Sequence, residues 1–212
     1  RIEKILIDNG VKTLDKLWNI RIENMSNTVL NFVEKDLERL ATSKYKTIPY
    51  DFEVEFGYMK DFSFDSGKEK VKILGKIDRM DRFLEQDKYI LYDYKTSSYG
   101  VKKIKDIEEG TSFQLPVYIM SQKHRNIVAG GYIDISKAKV YMELVQKEDK
   151  ELVNKKRGKG ILDETHWKAL MEEVENNMKE YIDSIYRGDF SINPKVCDTY
   201  CPYKEVCRYE FR

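Results

Sequence analysis

The sequence has no apolar run near the roughly 18 residues needed to span a bilayer, and no signal-peptide pattern at its start. It also has no charge imbalance. Its 38 Lys and Arg against 37 Asp and Glu leave a formal net charge of +1, so any nucleic-acid surface must be local rather than global. Cysteine is almost absent: Cys197, Cys201 and Cys207 are the only three, and all lie near the end. An odd, clustered set argues against a secreted disulfide framework and suggests an intracellular, cytoplasmic chain with thiolate metal ligands in its tail. Histidine is limited to His124 and His166, in unrelated segments, and there is no internal repeat or low-complexity tract. What is present is ordinary for a globular protein: 212 residues, 41% hydrophobic and 35% charged, enough for one sizeable domain with or without a small module. The chain begins at Arg1 rather than Met, so a piece of something longer is expected.

The first 45 residues read as helical, with Leu14, Leu17 and Trp18 and then Val29, Phe32, Val33, Leu37 and Leu40 at helical spacing. Residues 50–58 alternate as a strand, Phe52, Val54 and Phe56 against Asp51, Glu53 and Glu55. Residues 70–84 and 88–95 read as two further strands joined by the polar turn Glu85-Gln86-Asp87. A loop rich in Ser, Gly and Lys follows over 97–111, then a short helix over 113–123 and two β-rich stretches, 127–135 and 138–146. A charged linker runs over 147–160. A long amphipathic helix then starts near Asp163, with Leu170, Val174, Met178, Tyr181, Ile182 and Ile185 on one stripe and Gly188 as its C-cap. Local basic runs occur at Lys102, Lys103 and Lys105, and at Lys155, Lys156, Arg157 and Lys159; the second reads as a solvated loop.

Chemistry concentrates in the 70–95 hairpin. Gly75-Lys76-Ile77-Asp78-Arg79-Met80-Asp81 lies in its first strand, and Tyr92-Asp93-Tyr94-Lys95 ends its second. With the turn near residue 86, Asp78 falls across from Asp93 or a close neighbour, and cross-strand carboxylates about 5 Å apart can share one divalent cation. Residues i and i+2 of a strand face the same way, so Lys95 shares Asp93's side, while Tyr94 points away and keeps its backbone carbonyl near the edge. Hard oxygen ligands with room for water suit Mg²⁺ or Mn²⁺. Phosphodiester hydrolysis requires such a cation, an activated water and neutralisation of developing charge, and Lys95 could serve the last two. The other reading is a set of edge charges on strands, although a carboxylate buried without a partner is costly. D-x-K alone is a weak motif.

G-x-I-D-R-x-D at 75–81, D-Y-K-T-S at 93–97 and Gln114-Leu115-Pro116-Val117-Tyr118 together resemble the RecB-like branch of the PD-(D/E)XK nucleases. The resemblance implies an α/β, restriction-endonuclease-like core: a mixed central sheet, built around the 50–58 strand and the hairpin, flanked by helices. It assigns metal binding to Asp78 and Asp93, assisted by the Tyr94 backbone carbonyl, and catalysis to Lys95. The family's Q-x-x-x-Y motif falls on Gln114 and Tyr118, at i and i+4 of one helical face. Glu53 is a candidate supporting acid. RecB-like enzymes also place a metal-binding His or Glu on a helix before the first strand; Glu34 and Glu38 occupy such a helix here, and as readily face solvent.

The tail, Asn193-Pro194 followed by Cys197, Cys201, Pro202, Tyr203 and Cys207, is similar to the end of AddB subunits of AddAB helicase–nucleases. There a distant upstream cysteine completes a 4Fe–4S cluster. This sequence has no fourth cysteine, so an incomplete cluster is expected, with that cysteine and the helical ligand upstream of Arg1. The implied organisation is a nuclease core over 1–190 and a cysteine tail over 191–212. The implied function is Mg²⁺-dependent exonucleolytic cleavage of single-stranded DNA in double-strand-break repair and recombination, beside an AddA-like helicase–nuclease subunit and away from membranes. Two alternatives stay open: another RecB-like exonuclease of CRISPR-associated or phage type, and a non-catalytic DNA-binding or scaffolding domain of the same fold.

Overall fold

A computed structural model describes residues 4, 7–10, 16–58, 62–65, 67, 70–191, 201, 203 and 206–207. Its centre is a six-stranded mixed sheet in the order β1-β4-β5-β6-β7-β8, where β1 is Thr47–Phe56, β4 Gly75–Phe83, β5 Tyr89–Lys95, β6 Ile127–Asp134, β7 Lys139–Gln146 and β8 Ile161–Leu162. A separate two-stranded ribbon pairs β2, Ser63–Asp65, with β3, Lys70–Lys72. Among the described residues four helices flank the large sheet: α1 (Lys16–Thr42), α2 (Ile104–Glu108), α3 (Gln114–Ser121) and α4 (Glu164–Tyr186). This is the expected restriction-endonuclease-like α/β architecture. No helix among the described residues is long and apolar enough to cross a membrane.

Strand β6 explains the layering. All eight of its residues are buried, because a parallel partner, β5, on one side requires a crossover and helices cover both faces. One face packs Met80, Leu91 and Tyr132 against Leu115, Ile119, Trp167, Leu170 and Val174 from α3 and α4. The other packs Phe83, Ile90, Tyr92, Ile133 and Val145, with Phe32 of α1 lying over them. The β5–α2–α3–β6 crossover therefore holds α3 above the end of β5. That arrangement positions the site.

Five details depart from the sequence expectation. The 70–84 strand divides at Ile73-Leu74 into β3, which pairs with β2, and β4, which pairs with β1 and β5; Gly75 opens β4 against the Phe56 ring, where a Cβ would come within 2.2 Å. The first sheet strand starts at Thr47 and ends at Phe56, and Pro49 is tolerated because β1 is the edge strand. The Ser/Gly/Lys loop contains α2, a helix too short to show periodicity, whose Asp106 carboxylate accepts the Lys103 N–H at 2.7 Å. The stripe of α4 is buried at Trp167, Leu170, Val174 and Ile182, whereas Tyr181 and Ile185 are about half exposed, at 49% and 58%. The expected cap holds: Gly188, at φ +70°, donates to Ile185 O, and Asp189 N donates to Ser184 O, a Schellman closure. In the 147–160 segment, Lys155 turns inward and its ammonium donates to the Met142 carbonyl.

Candidate active site

The hairpin register pairs Arg79 with Tyr92 and Met80 with Leu91, so Asp78 stands opposite Asp93 at the open end of the ladder. The Tyr94 N–H donates to Asp78 Oδ2 at 2.8 Å, which fixes one carboxylate oxygen and leaves the second for other use. Asp93 follows four buried strand residues and is itself 3% exposed. Lys95, two residues on, lies on the same face, and its Nζ is 2.6 Å from Asp93 Oδ2. That ion pair sets the Lys95 ammonium against a buried oxygen and offsets part of the cost of burying the Asp93 carboxylate.

Helix α3 closes the arrangement from above. The Gln114 amide donates to Asp93 Oδ1 at 2.5 Å and to Tyr118 Oη at 2.9 Å, while its carbonyl accepts from Lys95 Nζ at 2.9 Å. The Tyr118 hydroxyl reaches Asp93 Oδ1 at 3.4 Å. One glutamine thus grips the acid and the base together, as i,i+4 spacing on the first turns of a helix allows. Burial pushes the Asp93 carboxyl above its ordinary range; Lys95 pulls it back, and nearby Asp78 pushes it up further. Burial likewise pushes the Tyr118 phenol up to about 12, so it stays a neutral hydroxyl. Beneath, the Lys95 ammonium lies 5.4 Å from the Tyr132 ring centroid, a cation–π contact.

The donor set suits a hard divalent cation. Two carboxylates converge, one of them buried, and Lys95 supplies positive charge beside them. Among the described residues no group of three His, Cys, Asp or Glu side chains could hold a metal. The helical acids do not contribute: Glu34 and Glu38 are exposed on α1, and Glu38 pairs with Lys35 at 2.9 Å. Glu53 is also exposed and pairs with Lys76 at 3.0 Å. Cys201 and Cys207 are free cysteines, whereas Cys197, Asn193 and Pro194 lie outside the described residues.

Sequence reasoning missed the layer behind the site. On the opposite face of the sheet, Arg79 (side chain 3% exposed) makes a two-point contact with Asp81 (0%), Nε to Oδ1 at 2.5 Å and Nη2 to Oδ2 at 2.9 Å. Arg79 Nη1 also donates to Asp36 Oδ2 of α1 at 2.6 Å and to Tyr94 Oη at 3.4 Å. Arg39 joins through Asp36 at 2.7 Å and Asp81 at 3.6 Å. The Arg79/Asp81 half carried a signal, opposite charges two apart in a strand; Asp36 carried none.

The profile of the PD-(D/E)XK nuclease superfamily matches residues 8–208 of the chain. Among curated proteins, the B subunit of an ATP-dependent helicase/deoxyribonuclease from Thermoanaerobacter pseudethanolicus is 22% identical over an alignment 277 positions long, gaps included, covering 99% of this chain and 24% of that protein. The protein of the same description from Clostridium novyi is 22% identical, covering 95% of this chain and 23% of its own length. The one from Alkaliphilus oremlandii is 25% identical, covering 79% and 20%. The chain spans about a quarter of the length of the first of these relatives, or slightly less for the others.

Proposed function

The chain belongs to the PD-(D/E)XK nuclease superfamily, and on that premise we propose that it is a divalent-metal-dependent deoxyribonuclease domain whose centre is Asp78, Asp93 and Lys95. The observation that carries the reading is the buried Asp93–Lys95 pair bridged by Gln114, with Asp78 held beside it. Structural sites rarely set a second carboxylate beside a buried one that a single lysine already neutralises, because the added charge is uncompensated. A site awaiting a cation does so by design.

Asp78 and Asp93 would hold Mg²⁺ or Mn²⁺, with the Tyr94 carbonyl as a third oxygen. The cation, when bound, neutralises a non-bridging phosphate oxygen and acidifies water. Lys95 orients the attacking water and stabilises the charge that builds on the phosphate. Gln114 holds Lys95 and Asp93 in register, and the neutral Tyr118 hydroxyl donates toward the carboxylate. Chemistry of this kind has no use for the tail. Cys197, Cys201 and Cys207 are one short of the four thiolates of a 4Fe–4S cluster, so a cluster in the whole protein would staple the 191–212 tail to the 1–190 core with help from another residue.

The relatives carry the description of helicase/deoxyribonuclease subunits, which supports a finer proposal: exonucleolytic cleavage of a DNA single strand in double-strand-break repair and recombination, beside an AddA-like partner. The test is metal removal. Cleavage of an end-labelled single-stranded oligonucleotide should require Mg²⁺ or Mn²⁺, stop on chelation with EDTA and return when metal is restored. Cleavage that persists in EDTA, or none with either metal, would count against the proposal.

A further inference from the structure

Directly after Lys95 the chain makes a tight turn, Ser98–Gly100, whose middle residue is Tyr99. Tyr99 is 95% exposed, the highest value among the exposed large hydrophobic side chains of the described residues. A bulky ring held wholly in water gains nothing for the fold, and single exposed aromatics of this kind need no explanation by themselves. Here, however, the turn beneath the ring is firmly built. Gly100 N donates to Ser97 O and Val101 N to Ser98 O, both at 3.2 Å. Lys137, from the β6–β7 turn, donates to Ser98 Oγ at 2.8 Å. Val101 packs against the main core.

The turn also touches the proposed centre. A Cβ on Gly100 would meet Lys95 Cδ at 3.0 Å and its Cγ at 3.4 Å, so the backbone next to Tyr99 lies on the stem of the lysine. The turn carries ammonium groups: Lys102 and Lys103 follow it, both exposed, and the exposed Lys137 anchors it. Asp106, the nearest acid on α2, is occupied by the Lys103 N–H. An aromatic face on a rigid turn, flanked by ammonium groups and next to a phosphate-cleaving centre, is the combination that holds single-stranded nucleic acid: cations follow the backbone and rings stack on bases.

We propose that Tyr99 is a base-stacking platform, which holds an unpaired nucleotide next to the scissile phosphate and makes the domain select single strands. This deepens the nuclease reading and rests on it. A base within a duplex has both faces covered by its neighbours, so the ring finds a partner only where the strand is unpaired. Phenylalanine would keep the function, because the stacking face is the same and the Tyr99 hydroxyl, in solvent, is not needed to hold the turn.

The test is fluorescence anisotropy with a labelled single-stranded oligonucleotide and with a blunt duplex of the same length, using protein carrying Asp93→Asn so that the DNA stays intact. Stacking is worth about 1–3 kcal/mol per base, so Tyr99→Ala should weaken single-strand binding by about 5- to 150-fold. Binding to the duplex should change less than twofold, and Tyr99→Phe should bind as the parent does. Unchanged single-strand affinity in Tyr99→Ala, or an equal loss on both substrates, overturns the proposal. Folding does not confound the result, since the side chain is in solvent. Failure of the nuclease reading shows separately, as absence of metal-dependent cleavage by the unmutated protein, because anisotropy requires no turnover.

Discussion

Asp93→Asn is expected to lower single-turnover cleavage of single-stranded DNA by about 10³-fold or more, the scale of losing a principal electrostatic group from a hydrolytic site. The protein should fold as before. Asparagine has nearly the same volume as aspartate, so α3 keeps its seat on β5 and the 3%-exposed position leaves no cavity. Charge is what changes. Burial already works against the Asp93 carboxylate, so a neutral amide relieves desolvation while removing the partner of Lys95, whose side chain is 22% exposed and can regain water. A thermal melt within a few degrees of the parent, together with a collapsed rate, would separate chemistry from stability. Cleavage within tenfold of the parent would remove Asp93 from the centre.

Arg79→Leu is expected to have the largest effect on folding, about 3–5 kcal/mol by urea denaturation, the usual cost of removing one partner of a buried ion pair. Its loss would strand Asp81, fully buried, and Asp36, whose side chain is 10% exposed, with only Arg39 to neutralise both. A domain of this size is stable by about 5–15 kcal/mol, so the loss is a large part of the total. Lysine should not rescue it, because a point charge cannot bond Asp81 at two atoms and Asp36 at a third. Arg79→Leu combined with Asp81→Leu should recover part of the loss, as apolar replacement of both partners commonly does. A loss under about 1 kcal/mol for the single variant would show that the network is ornamental. Arg79 also bears on the site from behind: it contacts the Tyr94 hydroxyl, and the Tyr94 N–H holds Asp78.

The hairpin and the face shared by Asp93 and Lys95 were legible because strand alternation is a local rule with a fixed period of two. So were β6, within the β-rich stretch 127–135, and the C-cap of α4 at Gly188. Gln114 and Tyr118 were legible only through the resemblance; from spacing alone they are a helix face, and their grip on Asp93 depends on the crossover that sets α3 above β5. The Asp36–Arg79 bond joins residues 43 apart, across two layers, and no periodicity anticipates a pairing of that kind. Residues 70–84 misled because their two halves pair with different strands, β3 with β2 and β4 with β1 and β5, a division that no local period marks. Glu34, Glu38 and Glu53 looked available as acids; the fold turns each into solvent, where Glu38 and Glu53 pair with lysines and Glu34 stays exposed.

Calorimetric titration of Mn²⁺ into the unmutated protein, Asp78→Asn and Asp93→Asn tests the centre most directly, because it needs neither DNA nor turnover. A shared carboxylate site predicts binding in the unmutated protein that each variant weakens by at least the roughly 10–100-fold typical of losing a mere supporting group. Equal Mn²⁺ affinity in all three proteins would contradict it, and with it the assignment of Asp78 and Asp93 as the metal-binding pair.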